Sequence, residues 1–250
     1  MKRFSFLLFF TLLFSLMLTA CDTPPDVEEK GEDSMMDEDE DGDGGAIDRS
    51  GDAMMEGTGF TRRYGVESGM VSYTLSGVQV GTKTIYWDHW GMREATYKDS
   101  EIQAGGVTVP SREVSIMDGD WLVTYNPDTK TGSRIKNTIL DQIAKNTGKD
   151  DLGEVGLQML QSMGGIKTGA DIVAGKTCDV YDVVNLATTT CVWNAVTLKS
   201  QSNMMGMSIS ETATEVFEGP VDVSRFVVPD DIKIQDMGDL EEMMKGIKGM

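Results

Sequence analysis

The stretch VTVPSREVSIMDGDWLVTYNP, residues 107–127, predicts that this chain is built around an antiparallel sheet. Two runs rich in β-branched and aromatic residues, 107–117 and 120–127, flank the dipeptide Asp118-Gly119. Asp-Gly between two such runs is a strong signal for a tight hairpin turn. Pro110 cannot donate a backbone hydrogen bond, so we expect it at an edge position or at a bulge.

Strand patterns continue on both sides of this hairpin and are interrupted once by helical periodicity. Upstream, Val71, Tyr73 and Leu75 alternate with polar residues, which is the period of a strand. Downstream, apolar residues at helical spacing predict one helix from Ile139 to a stop near Gly148. The same signals predict a second helix, which begins after Asp150-Asp151 and ends at Gly164-Gly165.

Strands resume after the helices, with 224–234 as a terminal strand. Antiparallel strands, a helical insertion and further strands together predict an α+β fold. Finally, Met237, Leu240, Met243, Met244 and Ile247 form an apolar stripe at helical spacing. This stripe predicts a short amphipathic helix over residues 237–249.

Three segments resemble the LolA-like family of outer-membrane lipoprotein-sorting proteins. They are IMDGDWLVTYNPDTKTG (116–132), VAGKTCDVYDV (173–183) and VSRFVVPDDIKI (223–234), and the likeness extends over about residues 64–236. The resemblance implies an incomplete antiparallel β-barrel wrapped over a few helices, with an apolar cavity for acyl chains. It also implies a functional arginine on an early strand, for which Arg93 is the candidate, although the neighbouring proline of the family is absent here.

Within that resemblance, aromatic and thioether side chains are candidates to line the cavity. Methionine is an adaptable liner of apolar binding surfaces, and the chain contains 18. The alternative is that these same side chains are ordinary core residues. The cavity candidates are Trp87, Arg93, Trp121, Tyr125, Met159, Met163, Met205 and Met207.

The N-terminus predicts export and a lipid anchor. Lys2 and Arg3 precede an apolar run, residues 4–18, that is short for a membrane span. The run ends in Leu18-Thr19-Ala20-Cys21, which resembles the lipobox of bacterial lipoproteins and implies cleavage before Cys21 and acylation of Cys21. Residues 1–20 are thus expected to be a signal peptide, and the mature chain to be held to a membrane of the cell envelope. Whether that membrane is inner or outer stays open.

Residues 21–57 are predicted to be a disordered acidic tether. They contain 15 acidic residues against Lys30 and Arg49, a net charge of −13, and no aromatic side chain. Asp37, Asp39, Asp41 and Asp48 partly match the spacing of an EF-hand calcium loop, but the glutamate of position 12 and the flanking helices are missing. Diffuse attraction of cations is the alternative to a specific site.

Cys178 and Cys191 are expected to form a structural disulfide. An exported chain with Cys21 acylated has this even pair left in an oxidising compartment. Their spacing is not C-x-x-C, and a zinc site would need two more ligands where the only histidine is His89. A hairpin centred on Val184-Asn185 would place the two cysteines directly opposite each other, within disulfide reach.

The folded part, residues 58–250, carries a net charge of −8 without a basic cluster, which argues against nucleic acid as a partner. No nucleophile or acid–base motif stands out, so we expect no enzyme and no cofactor. Two hypotheses remain. One is a carrier or receptor that binds lipid or acylated protein in an apolar cavity. The other is a structural or protein-interaction module with a filled core.

Overall fold

The computed structural model describes residues 61–104, 106–204 and 207–239. Several sequence predictions lie outside these residues: the signal peptide, the tether, and most of the amphipathic helix. The same holds for the residues Cys21, Asp37, Asp39, Asp41, Asp48 and Met205.

Twelve strands of the described residues form one sheet. In chain order they are β1 (Gly69–Gly77), β2 (Gln79–Asp88), β3 (Arg93–Ala104), β4 (Val107–Asp118), β5 (Trp121–Asn126), β6 (Thr131–Lys136), β7 (Gly165–Val173), β8 (Lys176–Val183), β9 (Thr188–Trp193), β10 (Val196–Met204), β11 (Met207–Glu218) and β12 (Lys233–Asp239). Their spatial order is β12-β6-β5-β4-β3-β2-β1-β11-β10-β9-β8-β7. The sheet is curved and does not close, which confirms the predicted α+β fold with an incomplete barrel.

Two meanders make up this sheet. β1 to β6 pair in succession, β7 to β11 do the same, and the two groups join where β1 pairs with β11. After β11 the chain returns across the sheet through residues 219–232, the return segment, and β12 then pairs in parallel with β6. Every other neighbouring pair of described strands is antiparallel.

Both predicted helices are confirmed. The first, α1 (Ile139–Thr147), ends at Gly148, whose φ of +62° is a left-handed conformation that glycine adopts without steric cost. The second, α2 (Leu152–Ser162), starts at Asp151, whose carboxylate accepts a hydrogen bond from the Glu154 backbone N–H at 3.1 Å. Neither described helix is long and apolar enough to span a membrane.

Two hydrophobic clusters lie on opposite faces of the sheet. Successive residues of a strand point to opposite faces, and Trp87 belongs to one cluster while Tyr86 packs against the other. Face A carries the first cluster, with Val71, Trp87 and Leu198 fully buried. Face B carries Ala95, Val114, Ile116, Tyr125 and Phe226, and the return segment covers part of that face.

The segment before β1 is fastened to face A. The Trp87 indole N–H donates to the Val66 carbonyl at 3.1 Å, and the Tyr64 hydroxyl donates to Glu94 at 2.5 Å. Arg63 lies 3.3 Å from the same carboxylate. Burial first, and then the nearby Glu94, raise the pKa of Tyr64 above its usual value. These contacts fix the point at which the N-terminal part of the chain reaches the sheet.

The hairpin of residues 107–127 forms as predicted. β4 ends at Asp118, Gly119 has a φ of +56°, and β5 begins at Trp121. Pro110 pairs with Glu101 of β3, whereas the pairing of β4 with β5 begins only at Val114. The missing N–H of Pro110 therefore lies in the part of β4 that is paired on one side.

The disulfide is confirmed, but the predicted register of its hairpin is wrong. Cys178 and Cys191 are bonded with their Cα atoms 5.4 Å apart. A 3-10 turn over Val184–Leu186 displaces the centre of the hairpin, so Val180 and not Cys178 lies opposite Cys191. The bond thus joins a diagonal pair of β8 and β9, and its Cα spacing is still normal for a disulfide.

The C-terminal part of the described chain also differs from expectation. Residues 223–226 form a 3-10 helix, and the last strand starts at Lys233 and not at Ser224. Pro229 within that stretch cannot donate to a ladder, which agrees with the late start. β12 runs on to Asp239, so residues 237–239 are strand where we predicted the first turn of an amphipathic helix.

Candidate binding groove

A groove lies on face B, between the sheet and the end of the return segment. Its volume is about 390 Å³, and it is open to solvent along one side. Strands β2 to β5 provide its base, and Pro229 and Ile232 of the return segment form a wall. The groove exists because the chain crosses face B to reach β6.

Apolar and aromatic side chains form the floor. Tyr97, Val114 and Tyr125 lie side by side because β3, β4 and β5 are neighbours in register, with Tyr97 opposite Val114 and Val114 opposite Tyr125. Pro127 and Ile232 extend this surface. The Tyr97 hydroxyl donates to the Arg225 carbonyl at 2.8 Å, which ties the floor to the return segment.

Ion pairs form the rim. Arg112 lies 3.2 Å from Asp99 and 2.7 Å from Asp128, and Lys130 lies 2.6 Å from Asp231. All of these side chains are about half exposed, so each pair contributes little to stability. They place charges of both signs beside an apolar floor.

Titration of the groove residues follows from this arrangement. Burial raises the pKa of Tyr97 and that of Tyr125 above the usual value for tyrosine. The hydrogen bond with Asp231 raises the pKa of Lys130, and the same bond lowers the pKa of Asp231. Near neutral pH the two tyrosines of the floor are therefore neutral, and the Lys130–Asp231 pair is ionised.

Of the eight cavity candidates, the groove contains Tyr125. Trp87 is fully buried on face A, the opposite face. Arg93 lies on face B outside the lining of the groove. Its Nε is 3.4 Å from Asp118, and its guanidinium lies over the ring of Phe226. Trp121 is 37% exposed and stacks beneath Arg134.

The methionine candidates lie elsewhere. Met159 lies near the C-terminus of α2 and Met163 caps that end of the helix, and both are half-buried. Met207 begins β11 and is exposed. The structure therefore does not bring the described members of the predicted set together in one cavity.

Sequence reasoning missed most of the groove. The sequence predicts strands for Tyr97, Val114 and Ile232, but nothing in it shows that the return segment crosses β3, β4 and β5. The usable signal was the pair Pro127 and Pro229. Proline restricts the backbone and favours turns, and each of these prolines follows a strand pattern.

Within residues 61–239, as far as they are described, no group of three or more His, Cys, Asp or Glu side chains is arranged to hold a metal ion.

Neither a protein-family model nor a curated protein matches the chain. Among solved structures, an uncharacterized conserved protein from Thermus thermophilus is similar over 68% of this chain and 90% of that chain, with 7% identity and a TM-score of 0.44. LprF from Mycobacterium bovis is similar over 67% of this chain and 90% of that chain, with 11% identity and a TM-score of 0.33.

The Pseudomonas aeruginosa MucA/MucB complex also contains a similar chain, over 67% of this chain and 58% of that chain, with 11% identity and a TM-score of 0.32. All three TM-scores are below 0.5.

Proposed function

We propose that this chain is a membrane-anchored, non-enzymatic binding module of the bacterial cell envelope whose groove holds a segment of a protein partner. The envelope location rests on the apolar run of residues 4–18 and on the lipobox-like sequence ending at Cys21. The observation that carries the binding role is the groove on face B.

The groove has the anatomy of a protein interface. Such interfaces have an apolar centre in which tyrosine is enriched and a polar, solvent-accessible rim. Here Tyr97 and Tyr125 lie in the floor, and Arg112 and Lys130 lie on the rim. Rim charges that are already paired and half exposed can exchange their partners for charges on an incoming chain, which favours selectivity over raw affinity.

The same geometry favours a protein segment over an acyl chain. An acyl chain gains most from an enclosed apolar cavity that removes it from water on all sides. The groove is open along one side and bordered by ion pairs, and Trp87 and Leu198 fill the core on the other face. A carrier of lipid or acylated protein, our other hypothesis, is therefore the competing outcome of the test.

The test compares two arginines of equal exposure. The Arg112 and Arg134 side chains are each 49% exposed, and each pairs with an aspartate. Arg112 lines the groove, whereas Arg134 lies outside the lining and pairs with Asp236 of β12. The full lipidated chain is cross-linked in native membranes, and the proteins recovered with it are quantified by mass spectrometry. We expect Arg112→Glu to weaken recovery of the specific partner by about tenfold or more, since each 1.4 kcal/mol changes affinity tenfold.

Arg134→Glu is the control and should recover the partner as the unsubstituted chain does. Native mass spectrometry of the same preparations gives the competing answer. A phospholipid or acyl species retained at about one per chain, together with protein recovery unaffected by Arg112→Glu, would contradict a protein-binding groove and favour a carrier.

A further inference from the structure

Four neighbouring hairpins turn at the same end of the sheet. The turns are β3–β4, β1–β2, β10–β11 and β8–β9, and their strands are adjacent in the spatial order. Register fixes the common end, because Gln79 lies opposite Ile102, Gly77 opposite Ile209, and Ser202 opposite Thr188.

Backbone hydrogen bonds join these turns to one another. The Val78 N–H donates to the Ser208 carbonyl at 2.9 Å, and the Val78 carbonyl accepts from the Gln103 N–H at 2.8 Å. Asn203 N–H donates to the Ala187 carbonyl at 3.0 Å. The β1–β2 turn is thus bonded to the hairpins on both its sides, and these backbone groups find their partners within the protein.

All four turns are uncharged in sequence. Residues 75–82, 102–111, 183–190 and 200–210, here named the uncharged end, contain no Asp, Glu, Lys or Arg, although these residues make up 25% of the chain. At the opposite end, Asp88, Asp118 and Asp120 lie at the β2–β3 and β4–β5 turns, whereas the β9–β10 turn, Asn194-Ala195, is uncharged. Strands β2 to β4 are therefore polarised along their length.

Exposed apolar side chains are concentrated at the uncharged end. Val107 is 61% exposed and Val184 is 73% exposed. The large apolar residues exposed there are Val80, Val107, Val109, Val184, Met207 and Ile209. Single exposed apolar residues are ordinary, but six of them at one end of a sheet are a candidate interaction surface.

The end of α2 adjoins this surface. The Asn185 side-chain amide donates to the Met163 carbonyl at 3.1 Å, and residues 155–166 are likewise uncharged. Below the turns, Lys83 pairs with Glu211, and Lys98 lies 3.2 Å from Glu113. These charged residues border the uncharged end on the side of the protein interior, and the exposed Glu101 lies beside it, between Val80 and Pro110.

We propose that the uncharged end docks onto the surface of a lipid bilayer. Charged side chains are costly in the hydrocarbon region, and backbone polar groups that enter it need partners within the protein. Beyond Glu101 the four hairpin turns carry no charged residue, and the backbone groups of Val78, Gln103 and Asn203 named above are bonded within the protein. Aliphatic and thioether side chains such as Val107, Ile209 and Met207 gain free energy by leaving water for lipid.

The expected lipid anchor favours a bilayer over a protein as the occupant. The N-terminal segment reaches the sheet at Gly69, the first residue of β1, whereas the uncharged end begins near the last residue of β1, Gly77. The nine residues of β1 span about 30 Å between these two points. The tether predicted over residues 21–57 has a typical end-to-end span of about 35 Å. Tethering is most effective when this span matches the distance between the two attachment points, so anchor and uncharged end can reach one bilayer together.

Two valines of equal exposure test the docking. Val107 at the uncharged end and Val223 on the return segment are both 61% exposed. Each is replaced by cysteine in the full lipidated chain, labelled with a nitroxide and reconstituted into phosphatidylcholine vesicles. The new thiol is the labelling site because Cys178 and Cys191 are bonded to each other and Cys21 is predicted to be acylated; the unsubstituted chain measures any background.

We expect the label of V107C to be about tenfold less accessible to an aqueous nickel complex than the label of V223C, since the bilayer excludes ions. Adding Ile209→Asp should restore access to the V107C label, and the circular dichroism spectrum reports whether each variant is folded. Equal accessibility of V107C and V223C in vesicles would overturn the proposal. Protection of V107C only after an envelope protein extract is added would also overturn it, in favour of a protein partner.

Discussion

The bond between Cys178 and Cys191 shows how residue chemistry acts across two strands. Both cysteines are buried in the cluster on face A, beside Val196 and Leu198. The bond fastens β8 to β9 near one margin of an open sheet, where β7 is the last strand of the described residues. The bond therefore stabilises this margin of the sheet, where only β7 lies beyond β8.

Replacing both cysteines by serine should lower the free energy of unfolding by roughly 3 kcal/mol, because the bond closes a loop with a sequence separation of 13. Urea denaturation of the oxidised chain and of the double variant measures the difference. Thiol titration of the native protein from the cell envelope should detect neither cysteine, and two reactive thiols would contradict a structural bond.

At the scale of single residues, the sequence predicts some features of the hairpins and leaves others undetermined. The pairing of Cys178 with Cys191 followed from compartment and count, and Asp118-Gly119 identified its turn. The register of β8 against β9 did not follow, since the left-handed conformation of Ala187 ends a 3-10 turn that no residue type signalled. Alanine is disfavoured in the left-handed conformation and so gives no sign of it, whereas glycine or asparagine would have been a visible sign.

At the scale of elements, α2 depends on its first residue. The Asp151 carboxylate caps the helix through the Glu154 N–H and pairs with Arg62 at 2.6 Å, which links the helix to the segment before β1. Burial acts to raise the pKa of Asp151, but the hydrogen bonds from Glu154 and Arg62 outweigh it and lower the pKa below its usual value. The ionised form is therefore the one that the folded protein stabilises.

Asp151→Ala should lower the free energy of unfolding by about 1 kcal/mol at neutral pH, the typical value of a helix cap. A carboxyl whose pKa is lower in the folded state stabilises the fold above its unfolded pKa, near 4, and loses that contribution as pH falls through the folded pKa. The two stability curves should therefore converge in acid. Asp151→Asn, which keeps the cap, is the control, and curves that stay parallel down to acid unfolding would contradict this role.

Local signals predicted the elements well where a single residue stops or starts a helix, as Gly148 and Asp151 do. They failed for residues 223–232, where Phe226 and Val228 suggested a strand. Those side chains are apolar because they cover face B from above, and a covering segment needs no strand pairing. Alternation in sequence alone does not distinguish the two situations.

At the scale of the whole molecule, the functional surfaces depend on which strands become neighbours. β1 pairs with β11 across more than a hundred residues, and β12 returns to β6, so neither the groove nor the uncharged end is contiguous in sequence. Each uncharged turn is ordinary by itself. Only the strand order places the four turns together, and only the return segment forms a wall beside Tyr97 and Tyr125.

The two proposals assign different partners to different places on one chain. The groove lies on face B between the sheet and the return segment, and the uncharged end lies at the hairpin turns beside it, with Thr82 common to both. A chain anchored at Cys21 and resting on the bilayer through Val107 and its neighbours would hold the groove above the membrane surface, where a partner protein can reach it.

Photo-cross-linking in living cells tests this account most directly. A diazirine side chain is introduced in place of Lys130 at the groove, Val107 at the uncharged end, or Val223 as the exposed control. We predict a protein adduct at position 130, a phospholipid adduct at position 107, and neither at position 223. A phospholipid adduct at position 130, or a protein adduct in place of lipid at position 107, would contradict the account.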